Sequence, residues 1–204
     1  MRSSMHPRGI RAATLALAFA TLGTAGSAGA QERRDGKRGD LNVFLRGGVG
    51  DFTGGLGDLT STGPAWGVTL NIQPTTFLGF EVGYEGSRNG ITDGRLPEQP
   101  SLVRQGGSAL VKVSPPFLTT VRPFVGAGVG VSHMNVRGPV EELYQSDTMP
   151  EVPLAAGVEF NRGALTAGIR TTYRVLLSEG WADGAVEDAN GGLLDASLTL
   201  GARF

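Results

Sequence analysis

No cysteine occurs among the 204 residues, which removes disulfide scaffolds, thiolate metal sites and thiol nucleophiles together. An excess of positive charge is also missing. Lys and Arg number 18 against 19 Asp and Glu, so the chain has no basic footprint for nucleic acid. Apolar residues make up 40%, and the mean hydropathy of −0.04 does not suit a bundle of spanning helices. The longest apolar run, residues 12–22 (AATLALAFATL), is too short to cross a bilayer. What the chain has in quantity is glycine. Its 33 residues are about twice the usual share of ~7%, and no collagen period accompanies them. This composition points to a Gly-rich all-β protein.

The apolar run sits in an export signal, assigned to residues 1–30. Arg2, Arg8 and Arg11 give a basic leading region, and no acid appears before Glu32. Ala28-Gly29-Ala30 supplies a small-x-small cleavage site, making Gln31 the expected first residue of the exported chain. No cysteine follows the site, so no lipid anchor is expected there. Without the three arginines the remaining chain carries −4. Residues 31–40 (QERRDGKRGD) read as a flexible periplasmic lead-in, and residues 41–204 as one barrel domain.

From Leu41 onward, eight segments alternate apolar and polar residues: 41–50, 64–73, 77–87, 101–114, 121–134, 151–161, 164–176 and 191–204. Breaks 51–63, 88–100, 135–150 and 177–190 are long and polar, while 74–76, 115–120 and 162–163 are short. Long and short strictly alternate. An up-and-down barrel in an outer membrane sorts its connections this way, with long loops outside and tight turns on the periplasmic side.

Charge placement makes a second test. The more apolar face of the eight segments covers 43 positions, and none is Asp, Glu, Lys or Arg. The opposite faces hold Arg46, Glu81, Glu85, Arg104, Lys112, Arg122, Glu159, Arg170, Arg174, Asp195 and Arg203. Arg or Lys facing lipid at mid-depth costs ~2–4 kcal/mol, so a charge-free face is what a lipid-facing wall requires. A soluble barrel also alternates, but it must fill its interior with bulky apolar residues. Here the charge-bearing face is rich in glycine, including Gly126, Gly128 and Gly130. Backbone groups in lipid must all be paired, so the sheet has to close. The expected fold is an all-β, eight-stranded antiparallel up-and-down transmembrane barrel. Trp66, Tyr84 and Tyr173 near the loop ends, with Phe160 and Phe204 near the turn ends, fit two interfacial girdles.

The last segment, LLDASLTLGARF, alternates without a miss and ends on outward Phe204, which resembles the signal read by the outer-membrane assembly machinery. RPFVGAGVGVS (122–132) is similar to the fifth strand of small OmpA-like barrels. These resemblances, with the loop pattern, cover the whole exported chain. They imply a small OmpA/OmpX-like barrel of the porin-family type in a Gram-negative outer membrane. No peptidoglycan-binding domain is expected, because the chain stops at Phe204.

The inward charges are the candidate site. Arg46, Glu81 and Arg170 fall at similar middle depths. Arg174 meets Asp195 near the top, and Glu85 meets Arg104. Lys112, Arg122 and Glu159 form a lower cluster. Unpaired charges in such a lumen cost several kcal/mol, so a salt-bridged filling is expected. The alternative is a narrow channel for ions or small solutes, whose seven basic against four acidic groups would favour anions.

The loops are acidic: Asp51, Asp58, Asp93, Glu98, Glu141, Glu142, Asp147, Glu151, Glu179, Asp183, Glu187 and Asp188 outnumber Arg88, Arg95 and Arg137. Divalent cations or a basic partner surface are candidates there, alongside plain solvation, and lipids of the outer membrane are the expected surroundings. The tandem heptad GGVGDFT–GGLGDLT (47–60) is similar to a Gly/Asp calcium repeat, but its Asp sits one residue early. It reads as a duplicated turn-former.

No cofactor, metal or enzymatic activity is expected. His133 is the one histidine outside the export segment, and Ser132 next to it points to the opposite face. A nucleophile pair needs both within hydrogen-bond reach. An envelope-lipid enzyme stays the third alternative, with His133 otherwise an interfacial residue.

Overall fold

The computed structural model describes residues 40–92, 100–118, 120–137, 147–177 and 191–204. The export segment, nearly all of the lead-in and the loop residues Asp93, Arg95, Glu98, Glu141, Glu142, Glu179, Asp183, Glu187 and Asp188 lie outside them. So do the Asp40 and Asp147 side chains.

Eight strands run in chain order: β1 Asp40–Gly54, β2 Gly63–Gln73, β3 Leu78–Gly90, β4 Ser101–Val113, β5 Val121–Arg137, β6 Asp147–Arg162, β7 Leu165–Leu176 and β8 Gly191–Arg203. Each pairs antiparallel with its neighbours, and β8 closes on β1. The expected number, order and closure are all found. The register fixes the geometry. From Leu41, partners follow as Ile72, Phe80, Val111, Ala127, Leu154, Tyr173 and Leu194, and the circuit returns to β1 at Asp51. A climb of ten residues over eight strands requires tilted strands, at roughly 35–45° in such barrels.

Strand identity follows from alternation at every level. On β1, Leu41, Leu45 and Val49 face out, while Asn42, Phe44 and Arg46 are buried within. Leu45, Val82, Val125, Val129, Leu198 and Leu200 are each about 60% or more exposed on the outer wall, with no protein to cover them. An apolar wall of this extent requires lipid around it. At one rim stand Phe77, Phe160 and Phe204, and Trp66, Tyr84 and Tyr173 stand toward the other. Trp66 and Tyr84 lie with ring centroids 5.8 Å apart. Gly163, at φ 62°, makes the tight β6–β7 connection possible.

Five strands (β1, β2, β3, β5 and β6) run beyond the alternation, with nearly all of the extra length at the loop end, whereas β4, β7 and β8 are each one residue shorter than their segments. β1 continues to Gly54, so the first heptad, 47–53, is strand and not a turn-former. Only the second heptad turns, through a 3-10 helix at Gly57–Leu59. β3 runs on to Gly90, β5 to Arg137, and β6 starts at Asp147. Glu151, expected in a loop, therefore lies inside β6 and is 1% exposed. Backbone pairing continues beyond the bilayer, where polar outward residues carry no penalty, so polarity does not mark the strand ends.

Along β5 the pattern inverts. Below, Val125, Val129 and Val131 face out and glycines face in. Above, Met134 and Val136 are buried while His133, Asn135 and Arg137 are exposed. The lower part obeys the rule for a wall in lipid, and the upper part the rule for a wall in water.

Candidate functional site

The lumen is filled in layers. At the turn end, Arg122 on β5 donates to the Gln73 side chain and to the Thr76 carbonyl, both at 2.8 Å.

Above it lies a four-charge layer. Arg170 (β7) pairs with Glu81 (β3) at 2.6 Å. Lys112 (β4) pairs with Glu81 at 3.1 Å and with Glu159 (β6) at 2.7 Å. Both cations also face the Phe124 ring, with Lys112 Nζ at 4.9 Å and the Arg170 guanidinium carbon at 5.7 Å from its centroid. Cation–π contact at such range stabilises by about 0.5–2 kcal/mol each, most when desolvated. Phe124 fits because Gly157 has no side chain: a Cβ there would stand 2.8 Å from its ring.

Higher still is a six-charge layer. Arg174 (β7) reaches Glu85 (β3) at 2.5 Å, Glu151 (β6) at 3.6 Å, and Asp195 (β8). Arg104 (β4) holds Glu151 at 2.7 Å and Glu85 at 3.3 Å, and Arg46 (β1) holds Glu85 at 2.6 Å. Ser132 donates to Glu151 at 2.5 Å. Gly130 leaves room for this carboxylate, since a Cβ would lie 2.9 Å from its Oε1.

Each layer is electrically balanced, with two cations and two carboxylates below and three of each above. Including Glu151 changes the inward count from seven basic against four acidic to seven against five; the two cations beyond these named pairs are Arg122, the register partner of Glu159, and Arg203, both toward the turn end.

The topmost layer is apolar. Phe52, Leu56, Ile91, Leu102, Met134, Val136, Met149, Leu176 and Leu193 form one buried cluster, Leu56 and Met149 fully covered. Leu56 belongs to the first loop and Ile91 to the second. Pairing of Thr60 with Ile91 and bonds from the Asn89 amide to the Gly50 and Ser61 carbonyls fasten these loops together. This cap went unseen because the sequence segments stopped at the first polar outward residues. The parity inversion on β5 was the signal that could have revealed it.

Beside the ion pairs, two small pockets measure about 10 Å³ each, one lined in part by Arg46, Glu85, Arg104 and Arg174, the other by Phe44, Glu81, Phe124 and Arg170. That is room for a single water apiece. Asn42 Oδ1, Thr69 Oγ1, both amide atoms of Asn71 and Gln73 Nε2 have no protein partner and give water further places to bind in the turn-side half.

Ser132 and His133 are apart. Ser132 is fully buried on Glu151, whereas His133 is exposed on the outer wall and its Nδ1 lies 2.9 Å from the Thr148 hydroxyl. Phe204 is 76% exposed, its backbone N–H bonded to the Leu41 carbonyl. Of the loop acids within the described residues, Asp51 accepts a hydrogen bond from Thr62, and Asp58 lies in the 3-10 turn.

No protein-family model and no curated protein sequence matches the chain. Solved structures do. Neisserial surface protein A superposes with a TM-score of 0.58 at 15% identity, covering 82% of this chain and 100% of its own. Ail, the attachment invasion locus protein of Yersinia pestis, gives 0.54 at 12%, over 81% of this chain and 99% of its own. The N-terminal barrel domain of Pseudomonas aeruginosa OprF gives 0.51 at 14%, over 82% and 98%. The chain has the fold of these small eight-stranded outer-membrane barrels.

Proposed function

We propose that this protein is a closed, non-conducting barrel of a Gram-negative outer membrane, a rigid stem that presents its loops at the cell surface. The observation that carries this reading is the stack inside the lumen: two charge-balanced ion-pair layers beneath an apolar cap. An ion crossing it would have to break several buried pairs. Breaking one such pair by removing a partner costs ~3–5 kcal/mol, and cavities of about 10 Å³ admit nothing larger than water. The export segment 1–30 and terminal Phe204 support delivery to that membrane by way of its assembly machinery.

Planar-bilayer recording tests the reading. Protein first verified as folded by a compact, boil-sensitive gel band is expected to give no discrete conductance steps. Reproducible steps from such protein would replace the sealed stem with the narrow channel.

A further inference from the structure

The outer wall carries a feature that the sealed stem leaves unexplained. On β3–β5, at the level where the polarity inverts, the exposed residues are basic and hydrogen-bonding. Arg88 reaches across to Ser101, its Nε 3.3 Å from the hydroxyl. Ser101 is the register partner of Arg137, and Val103, the partner of Arg88, pairs in turn with Asn135. Arg88 and Arg137 thus flank Ser101 on one outward surface, and both are exposed. Neither has a carboxylate partner among the described residues. At a similar level Asp51 stands two strands away, occupied by the Thr62 hydroxyl.

The height of this patch is set by two independent observations. Ten residues separate Leu78, at the turn end of β3, from Arg88. At ~3.3 Å per residue and ~40° tilt they rise about 25 Å, the height of the apolar band of such barrels. Parity gives the same boundary, since outward residues are polar and inward ones apolar from His133 upward. Arg88 therefore stands where acyl chains end, and Ser101 and Arg137 stand above it among headgroups.

We infer that Arg88 and Arg137, with Ser101 and Asn135, bind a phosphate group carried on a lipid headgroup of the outer leaflet. Two guanidinium forks offer paired N–H donors of the geometry a phosphate accepts. A lipid is the occupant because the lower arginine is level with the hydrocarbon edge, where a soluble anion would lose solvent on the lipid side. The inference rests on the membrane placement proposed above.

The test uses the full chain refolded into nanodiscs of phosphatidylcholine alone or mixed with phosphatidic acid. Lipids that stay bound on release are counted by native mass spectrometry. Preferential retention of phosphatidic acid is expected. Arg88→Ala and Arg137→Ala should each lower that preference about fivefold, and the pair about 30-fold. Both variants should keep the boil-sensitive band, since these side chains pack against nothing in the barrel interior. Equal retention of the two lipids by the wild type, or an unchanged preference in the double variant, overturns the site. Displacement of the lipid by inorganic phosphate at equal concentration overturns the lipid as its source. A chain that enters neither bilayer overturns the membrane reading, and the site with it.

Discussion

Arg174 is the residue on which the upper layer turns. It alone contacts Glu85, Glu151 and Asp195, and it is 2% exposed. Arg174→Met keeps most of the side-chain volume but leaves three carboxylates facing two guanidiniums, Arg46 and Arg104. Removing one partner of a buried pair costs ~3–5 kcal/mol, because the orphaned charge stays desolvated. With a urea slope of ~2 kcal/mol per molar, the unfolding midpoint should fall by about 2 M. Emission from Trp66, on the outer wall beside Tyr84, reports the transition in lipid vesicles. The decisive comparison adds Asp195→Asn. Asp195 is paired with Arg174 and no other described cation, so the double variant restores two charges of each sign in the layer. It should recover at least half of the loss. A cost below ~1 kcal/mol for Arg174→Met, or additive effects of the two changes, would refute the argument that charge balance holds the lumen together.

Other outcomes follow from the same geometry. Leu198→Arg places a charge on the outer wall near mid-depth and should cost ~2–4 kcal/mol in the same unfolding assay, whereas Thr53→Arg, above the girdle, should cost less than ~1 kcal/mol. Leu56→Ala removes the first loop's contribution to the cap and should cost ~2–5 kcal/mol, with faster hydrogen exchange at Ile91 and Thr92. Bilayer recordings of that variant should stay silent, because both ion-pair layers remain beneath the cap. Phe204→Ser should leave refolding in detergent unchanged, since the ring is exposed, yet reduce the amount of barrel accumulated in cells. Mass spectrometry of the exported protein should find Gln31 as its first residue, and an intact amino terminus would remove the export segment.

The strand number, closure and lipid-facing surface were legible in the sequence because a bilayer acts on every residue separately. Each outward position at membrane depth must be free of charge whatever its neighbours are, so a period of two survives in the linear chain. Leu194, Ala196, Leu198 and Leu200 against Asp195, Ser197 and Thr199 display it without any knowledge of β1 or β7. The inward charges were legible as a set for the complementary reason: nothing else on those strands could be tolerated only inside.

Which charge meets which was decided by the tertiary structure alone. Arg170 finds Glu81, and Arg174 finds Glu85, each across 89 residues of chain. Those meetings depend on the ten-residue climb of the register, which no single strand encodes. Arg46, expected at the depth of Glu81 and Arg170, pairs with Glu85 in the upper layer. Glu151 shows the limit most clearly. Its parity, one residue before outward Val152, already pointed inward, but its acidity at a segment edge placed it among the loops. The wall continues there by backbone pairing alone, above the depth at which lipid selects side chains. Sequence carries the constraint of the solvent around a strand; the closed ladder decides how far the strand goes on and what gathers inside it.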